Sequence, residues 1–443
     1  MSEELFGPLF GDAIVEDAVS DGAFVGAMLT VESALAASCA DIGLVSSDEA
    51  RKVAAACADL DVDMASLAVG ATATGNPVVP LLTQLRARVP AEARDAIHLG
   101  ATSQDIIDTA FMLVTRDAGI RILSLVHAAS ETAAALADGH RHTLMVARTL
   151  GQQALPTTFG LVAAGWLGQL DRGADQLASV LNERLAVQLG GAAGTLAAYG
   201  FQGPAVSAAL ASRLGLTAAA PWHTARQRVL DIAHAMAGVV VAAGKVATDV
   251  VLLAAGEVGE LRVEGGGGSS ALPHKQNPVN AVLTRAAAIR MPGLVATLLA
   301  AGVHDQERAT GAWHAEWSAW RELLRLTGGA ATHVADLLEQ TRVSPERMRA
   351  TLDATGGRLM AESLTSRLAP LMGREPARQL VAELAHRSAE TGATFAETVR
   401  ADPAVLRHLA ETDLADALDP ASWLGSGPAL LDAALATHRE LRS

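Results

Sequence analysis

The segment Gly265-Gly-Gly-Gly-Ser-Ser-Ala-Leu-Pro-His-Lys-Gln-Asn-Pro278 gathers chemically capable side chains in a short span. Ser269, Ser270, His274, Lys275 and Asn277 bring hydroxyl, imidazole, ammonium and amide groups together within nine residues. The four preceding glycines make a backbone free enough to close over a ligand as a lid, while Pro273 and Pro278 stiffen the second half. Such a set suits a carboxylate. Lys275 supplies charge, and Asn277 with the loop amides supplies directed donors. Lysine is scarce in this chain, at Lys52, Lys245 and Lys275 among 34 basic residues, which gives the one in the loop added weight. No Gly-Lys-Ser/Thr follows, so the loop is not a Walker A motif, and it is not the Gly-x-Ser-x-Gly elbow of hydrolases. Flexible linkers rarely hold His-Lys-Gln-Asn between prolines.

Two more segments carry candidate chemistry. In His98-Leu-Gly-Ala-Thr-Ser-Gln-Asp105, Thr102 and Ser103 stand at the start of a long helical pattern. Their hydroxyls and the free amides of the first turn form an anion site, although the same residue types also serve as a plain cap. His98 reads either as a buried, hydrogen-bonded histidine or as a substrate contact. The other segment is Arg148-Thr-Leu-Gly-Gln-Gln-Ala-Leu-Pro-Thr-Thr158. His140-Arg-His142 beside Asp138 has metal-ligand types but lacks further ligands, and it fits a helix end, where cations are favoured. No metal site is expected.

The glycine-rich segment resembles the signature loop of the fumarase/aspartase superfamily, Gly-Ser-Ser-x-Met-Pro-x-Lys-x-Asn-Pro, with Leu272 where methionine is usual. The segments starting at His98 and Arg148 resemble the superfamily's other active-site regions, in the same order along the chain. The resemblance implies an all-α, three-domain fold on a long central helix bundle, and a homotetramer whose active sites each draw on three subunits.

One departure narrows the resemblance. Adenylosuccinate lyases and related enzymes typically read Arg-Thr-His-Gly-Gln in the second region, the histidine serving proton transfer at the departing group. This chain has Leu150. An amine or hydroxide needs a proton delivered as it leaves, and leucine delivers none. A carboxylate, with a pKa near about 4, leaves or attacks as a stable anion. That chemistry is implied by similarity to the bacterial 3-carboxy-cis,cis-muconate cycloisomerases of the protocatechuate branch of the β-ketoadipate pathway, which also lack the histidine. Pro221-Trp-His-Thr224, Gly311-Ala-Trp-His-Ala-Glu-Trp317 and Asp419-Pro-Ala-Ser-Trp-Leu-Gly425 look like that branch. Where adenylosuccinate lyases hold a nucleotide phosphate, this chain has His314 and Trp317.

The expected reaction adds a substrate carboxylate to a double bond conjugated with a second carboxylate, which becomes an aci-carboxylate. Lys275, Asn277 and loop amides stabilise that charge. The resemblance assigns the proton transfer to Ser269 rather than Ser270. Thr102, Ser103, Thr149 and Gln152 hold the other carboxylates, with Arg148, His98, Ser270 and His274 also expected at the substrate, and Leu150 walls off water. No cofactor is expected. An adenylosuccinate-type lyase and a non-catalytic structural homologue are the alternatives, the first opposed by Leu150 and the second by the intact Ser269, Lys275 and Asn277.

The remaining sequence must position these groups. Hydrophobic residues make up 50% of the 443, charged residues 19% and aromatics 3%, with Ala and Leu prominent, which favours helices with large apolar faces. A net charge of −14 argues against nucleic acid or an anionic membrane as partner and leaves room for a small tricarboxylate in a locally positive pocket. Cys39 and Cys57 do not suggest a disulfide framework, and Cys39 lies on an apolar stripe with Met28, Val31, Leu35 and Ile42. The acidic start has no signal-peptide pattern, and Ile232–Gly244 is too short to span a bilayer, so a cytoplasmic protein is expected. Long helical patterns run over 103–139, from Pro156 to about 189, over 224–260, and over 279–302 with a break at Pro292. Pro80 and Pro90 break residues 78–98 into loop or short helices. The apolar stretch at Val239-Val240-Val241 predicts burial on several sides. Boundaries are expected near 100 and 342: an N-terminal domain 1–100, a bundle domain 101–342, and a small C-terminal domain 343–443.

Overall fold

The computed structural model describes residues 5–268, 272 and 275–442. The all-α expectation holds: helices dominate, and the strands are short, with Gln152–Thr158 spanning seven residues. The long helices are Ser103–Gly139, Phe159–Glu183, Gln227–Leu253, Val279–Ala301 and Ala312–Gln340. Shorter helices start on recognisable caps. Ser20 Oγ accepts from the Ala23 amide at 3.1 Å ahead of Asp21–Asp41, and Ser46 with Glu49 makes a reciprocal capping box.

Three local expectations need correction. Pro156 does not open a helix; it sits in a strand opposite Val146, next to a register shift between Val146 and Arg148. A proline lacking its N–H is tolerated beside such an irregularity, and the following helix waits until Phe159. Pro292 does not break Val279–Ala301, because regular turns on both sides carry the helix across one missing bond. At the valine run, Val239 and Val240 are buried but Val241 is exposed. Its side chain leaves one apolar face of that helix open.

Two compact units emerge from the packing. The first comprises Met1–Val126, Gly173–Gly244 and Leu283–His333. Its core holds Met28, Leu35, Cys39, Leu81, Ile106 and Ile107. It also buries a charge: Arg226 pairs with Asp108 and Glu316, and the Trp313 indole donates to Asp108 at 3.0 Å. Such a guanidinium survives burial because two carboxylates neutralise it. A cavity of about 1000 Å³ in this unit is floored by Phe24, Phe111 and Trp317 and contains none of the site residues expected from sequence.

The second unit comprises His127–Arg172, Lys245–Val282 and Val334–Ser443. Its C-terminal helices close over Leu364, Leu368, Leu384, Phe395 and Leu414. The helix Gly427–Arg442 is tied down by His438, whose Nδ1 lies 3.0 Å from Asp171. At the end of Ser103–Gly139, Arg141 pairs with Asp138 and Asp432, and His140 Nδ1 lies 3.0 Å from Thr143 Oγ1.

Asp21–Asp41, Gln227–Leu253 and Val279–Ala301 have the length and hydropathy of membrane spans. In the first two, 56% of the most apolar window is already buried inside the fold. Val279–Ala301 leaves Val282, Ile289 and Leu299 exposed.

Candidate active site

In the first unit, the segment from His98 to Asp105 is pinned from several directions. The Tyr199 hydroxyl, from the chain's single tyrosine, donates to the Leu99 carbonyl at 2.6 Å. Gly100 has φ +70°, and a Cβ there would lie 2.6 Å from the tyrosine ring, so only glycine fits. Asp105 is 1% exposed and collects four N–H donors: Thr102 N at 3.0 Å, Gln188 Nε2 at 2.9 Å, Gly190 N at 3.0 Å and Gly191 N at 2.9 Å. Burial pushes its carboxyl up to about 6, against the opposing pull of those four bonds. Its Thr102 bond closes the first turn of Ser103–Gly139 from below. The hydroxyls of Thr102 and Ser103 have no hydrogen-bond partner among the described residues, which leaves both open to a ligand.

His98 takes a left-handed backbone, φ +58°. Its Nδ1 lies 2.7 Å from Glu32 Oε1, and Glu32 is wholly buried while His98 keeps 14% of its side chain exposed. The structure therefore gives His98 a hydrogen-bonded anchor and an accessible edge.

In the second unit, Leu144–Thr149 and Gln152–Thr158 form an antiparallel hairpin in which Thr149 pairs with Gln152 across a two-residue tip. The tip residues Leu150 and Gly151 have φ +51° and +76°, the twist of a primed turn. Leucine is a poor fit for that conformation, and its side chain is fully exposed. Arg148, just before the tip, donates both terminal nitrogens to the buried Glu260, at 2.9 and 2.7 Å. That engagement positions the hairpin.

The signature segment also forms a short hairpin, Gly267 opposite Asn277 and Gly268 opposite Gln276. A Cβ at Gly266 would lie 2.4 Å from the Asn277 carbonyl oxygen, and one at Gly267 would lie 2.6 Å from Val279. Two of the four glycines are thus required for close approach of the loop's arms, a structural reason in addition to freedom of motion. Lys275 is exposed and its amide donates to Leu272 O at 3.0 Å; Asn277 is half-buried. Ser269, Ser270 and His274 lie outside the described residues.

The lyase family model matches residues 12–293, a span that includes all three segments, and a model of the adenylosuccinate lyase C-terminus matches residues 357–434. This chain belongs to the lyase family. It is an enzyme of the fumarase/aspartase superfamily, as the resemblance implied. A nitrosuccinate lyase from Streptomyces davaonensis is 42% identical to this lyase-family chain over 97% of it and 94% of the relative. A 3-carboxy-cis,cis-muconate cycloisomerase from Bradyrhizobium diazoefficiens is 40% identical over 97% of the chain and 96% of the relative. The crystal structure of 3-carboxy-cis,cis-muconate lactonizing enzyme from Pseudomonas putida superposes with a TM-score of 0.93 at 35% identity, covering 100% of both chains.

Sequence reasoning gave no role to Glu32, Tyr199 and Asp105, which hold the segment from His98 to Asp105 in the first unit, or to Glu260, which holds Arg148 in the second. One signal was available. Glu32 is the only charged residue between Asp21 and Asp41, on a helix whose neighbouring positions are apolar. A lone carboxylate there requires a partner from elsewhere in the fold.

Proposed function

We propose that this enzyme interconverts 3-carboxy-cis,cis-muconate and 4-carboxymuconolactone by adding a carboxylate β to another carboxylate. The observation that carries this reading is Leu150 at the hairpin tip, flanked by Thr149 and Gln152. A side chain with no proton to give suits a group that arrives and departs as a stable anion. Ser269 protonates the carbon next to the aci-carboxylate, or removes that proton in reverse. Lys275, Asn277 and loop amides stabilise the charge that accumulates there. Thr102, Ser103, Thr149 and Gln152 bind the remaining carboxylates, and Ser270 and His274 take part in substrate binding. Arg148 acts by holding the hairpin through Glu260.

The enzyme works as a cytoplasmic homotetramer with each site shared among three subunits. Exposed Val241, Val282, Ile289 and Leu299 support subunit packing, since apolar faces of long helices are stable when covered.

Leu150 is also compatible with a second reading. Nitrosuccinate eliminates nitrite, another leaving group that is already a stable anion, and one relative carries that substrate in its name.

The test mixes purified enzyme with 3-carboxy-cis,cis-muconate and follows loss of ultraviolet absorbance. Nitrosuccinate (with colorimetric nitrite detection) and adenylosuccinate run in parallel. Turnover of the muconate is the expected result. Turnover of nitrosuccinate alone would transfer the assignment to nitrite elimination, and turnover of adenylosuccinate alone would overturn the reading of Leu150.

A further inference from the structure

The cavity of about 1000 Å³ in the first unit takes no part in the chemistry assigned above. Its volume lies at the upper end of small-molecule pockets. Interiors rarely leave voids much larger than a water molecule, and this one is bounded by ordered rings. Ile107, Phe111 and Val114 stand at i, i+4 and i+7 on one face of Ser103–Gly139 and all line it. The Phe111 ring lies 4.7 Å from Phe24 and is backed by Trp320, stacked on it at 4.8 Å. Trp317 adds a third lining ring, held edge-on by Trp313 at 4.9 Å. Rings fixed by other rings present their faces to a ligand without first having to be ordered.

Charge decides which ring-bearing molecule fits. Six ionisable side chains line the cavity, and five of them are paired among themselves. Arg321 lies 2.7 Å from Asp21, and Arg325 lies 2.8 Å from Glu16 and 2.6 Å from Glu322. Glu322 also holds Arg290, which is outside the lining, at 2.6 Å. The sixth is Asp17, an exposed carboxylate with no ion pair or hydrogen bond to its side chain among the described residues. An anion entering here meets no unpaired guanidinium and one like charge, so the cavity does not suit a carboxylate or a phosphate. A monocation meets a carboxylate at the rim and three aromatic faces inside.

We propose that this cavity binds an organic monocation with an aromatic body, of the arylalkylammonium class, its ring against Phe24, Phe111 and Trp317 and its ammonium beside Asp17. The site shares no residue with the carboxylate site and selects for the opposite charge. Association is non-covalent, and none of it depends on which carboxylate the enzyme transforms.

Tryptamine, tryptophol and indole-3-propionate carry one ring system with a cationic, a neutral and an anionic end. Each is titrated into the full-length enzyme by calorimetry at about pH 7.5, where the amine is protonated and the acid ionised. Tryptamine binds with a Kd below about 1 mM, within reach of a ligand of its size. Tryptophol binds about fivefold more weakly, and the acid more weakly still. Asp17→Asn brings tryptamine to the level of tryptophol and leaves tryptophol unchanged. Ser318→Trp puts an indole into the cavity from an exposed position on Ala312–Gln340 and abolishes binding of all three. Ala13→Trp does the same from the exposed start of another helix, so a folding defect in one variant leaves the other to decide. The proposal is overturned if tryptamine does not bind, if the acid binds as tightly, if Asp17→Asn keeps the full preference for the amine, or if binding survives a folded tryptophan variant. Affinity that falls as protein concentration rises overturns it too, because a second copy of this chain then covers the cavity.

Discussion

Arg148 donates Nη1 to Glu260 Oε2 at 2.9 Å and Nη2 to Glu260 Oε1 at 2.7 Å, fastening a strand one residue before its turn to a wholly buried carboxylate. The pair converts a flexible arginine into a fixed strut, and Leu150 and Gly151 inherit their position from it. Glu260→Ala leaves the guanidinium without its fork. We expect a loss of about 3 kcal/mol in denaturant unfolding, in the range for breaking a buried pair. Arg148→Lys, a point charge in place of a fork, should lose less stability but still lower kcat through misplacement of the tip.

Leu150 occupies a left-handed turn position that asparagine fills with less strain. Leu150→Asn should therefore raise stability by about 0.5–1 kcal/mol. Stability that rises while turnover falls, measured on the same preparation, would show that the leucine is kept for function. Unchanged turnover would remove Leu150 from the site.

At Gly266 an added methyl group meets the Asn277 carbonyl oxygen at 2.4 Å, a contact with backbone that cannot swing away. Gly266→Ala should separate the arms of the signature hairpin and lower kcat about 100-fold, the scale of losing positioned charge stabilisation. Because Gly266 is only half-buried, the thermal midpoint should change little.

Ser269 and Ser270 are neighbours with different assigned roles. Ser269→Ala should cost about 10²–10⁴ in kcat, the usual contribution of a positioned proton-transfer group. Ser270→Ala should act mainly on KM. Equal small effects in steady-state kinetics would remove the base assignment from Ser269.

Asp105 gives a pH signature of known sign. Its folded-state value, about 6, lies above the ordinary 3.8, so its contribution to stability is fully present below about pH 4 and declines as pH rises to about 6. The difference in unfolding free energy between wild type and Asp105→Asn should shrink over that window and then stay level. The variant should also be weaker at neutral pH, because its amide nitrogen faces N–H donors that the carboxylate now accepts. A difference that grows with pH would contradict the burial effect.

The sequence by itself determined the helical class, the start of the helix at Ser103, the three motif segments and the departure at Leu150. These are local matters. Apolar periodicity, helix-starting hydroxyls and a long motif can each be read from neighbouring residues. Tertiary structure alone decided that Pro156 lies in a strand, that Gly266 and Gly267 serve close approach, that Arg148 is held by Glu260, and that Glu32 answers His98 across 66 residues of chain. The reason is physical. What a buried charge costs, and which group offsets that cost, depends on side chains that meet only after the backbone has folded, and no pattern of spacing along the chain encodes those meetings.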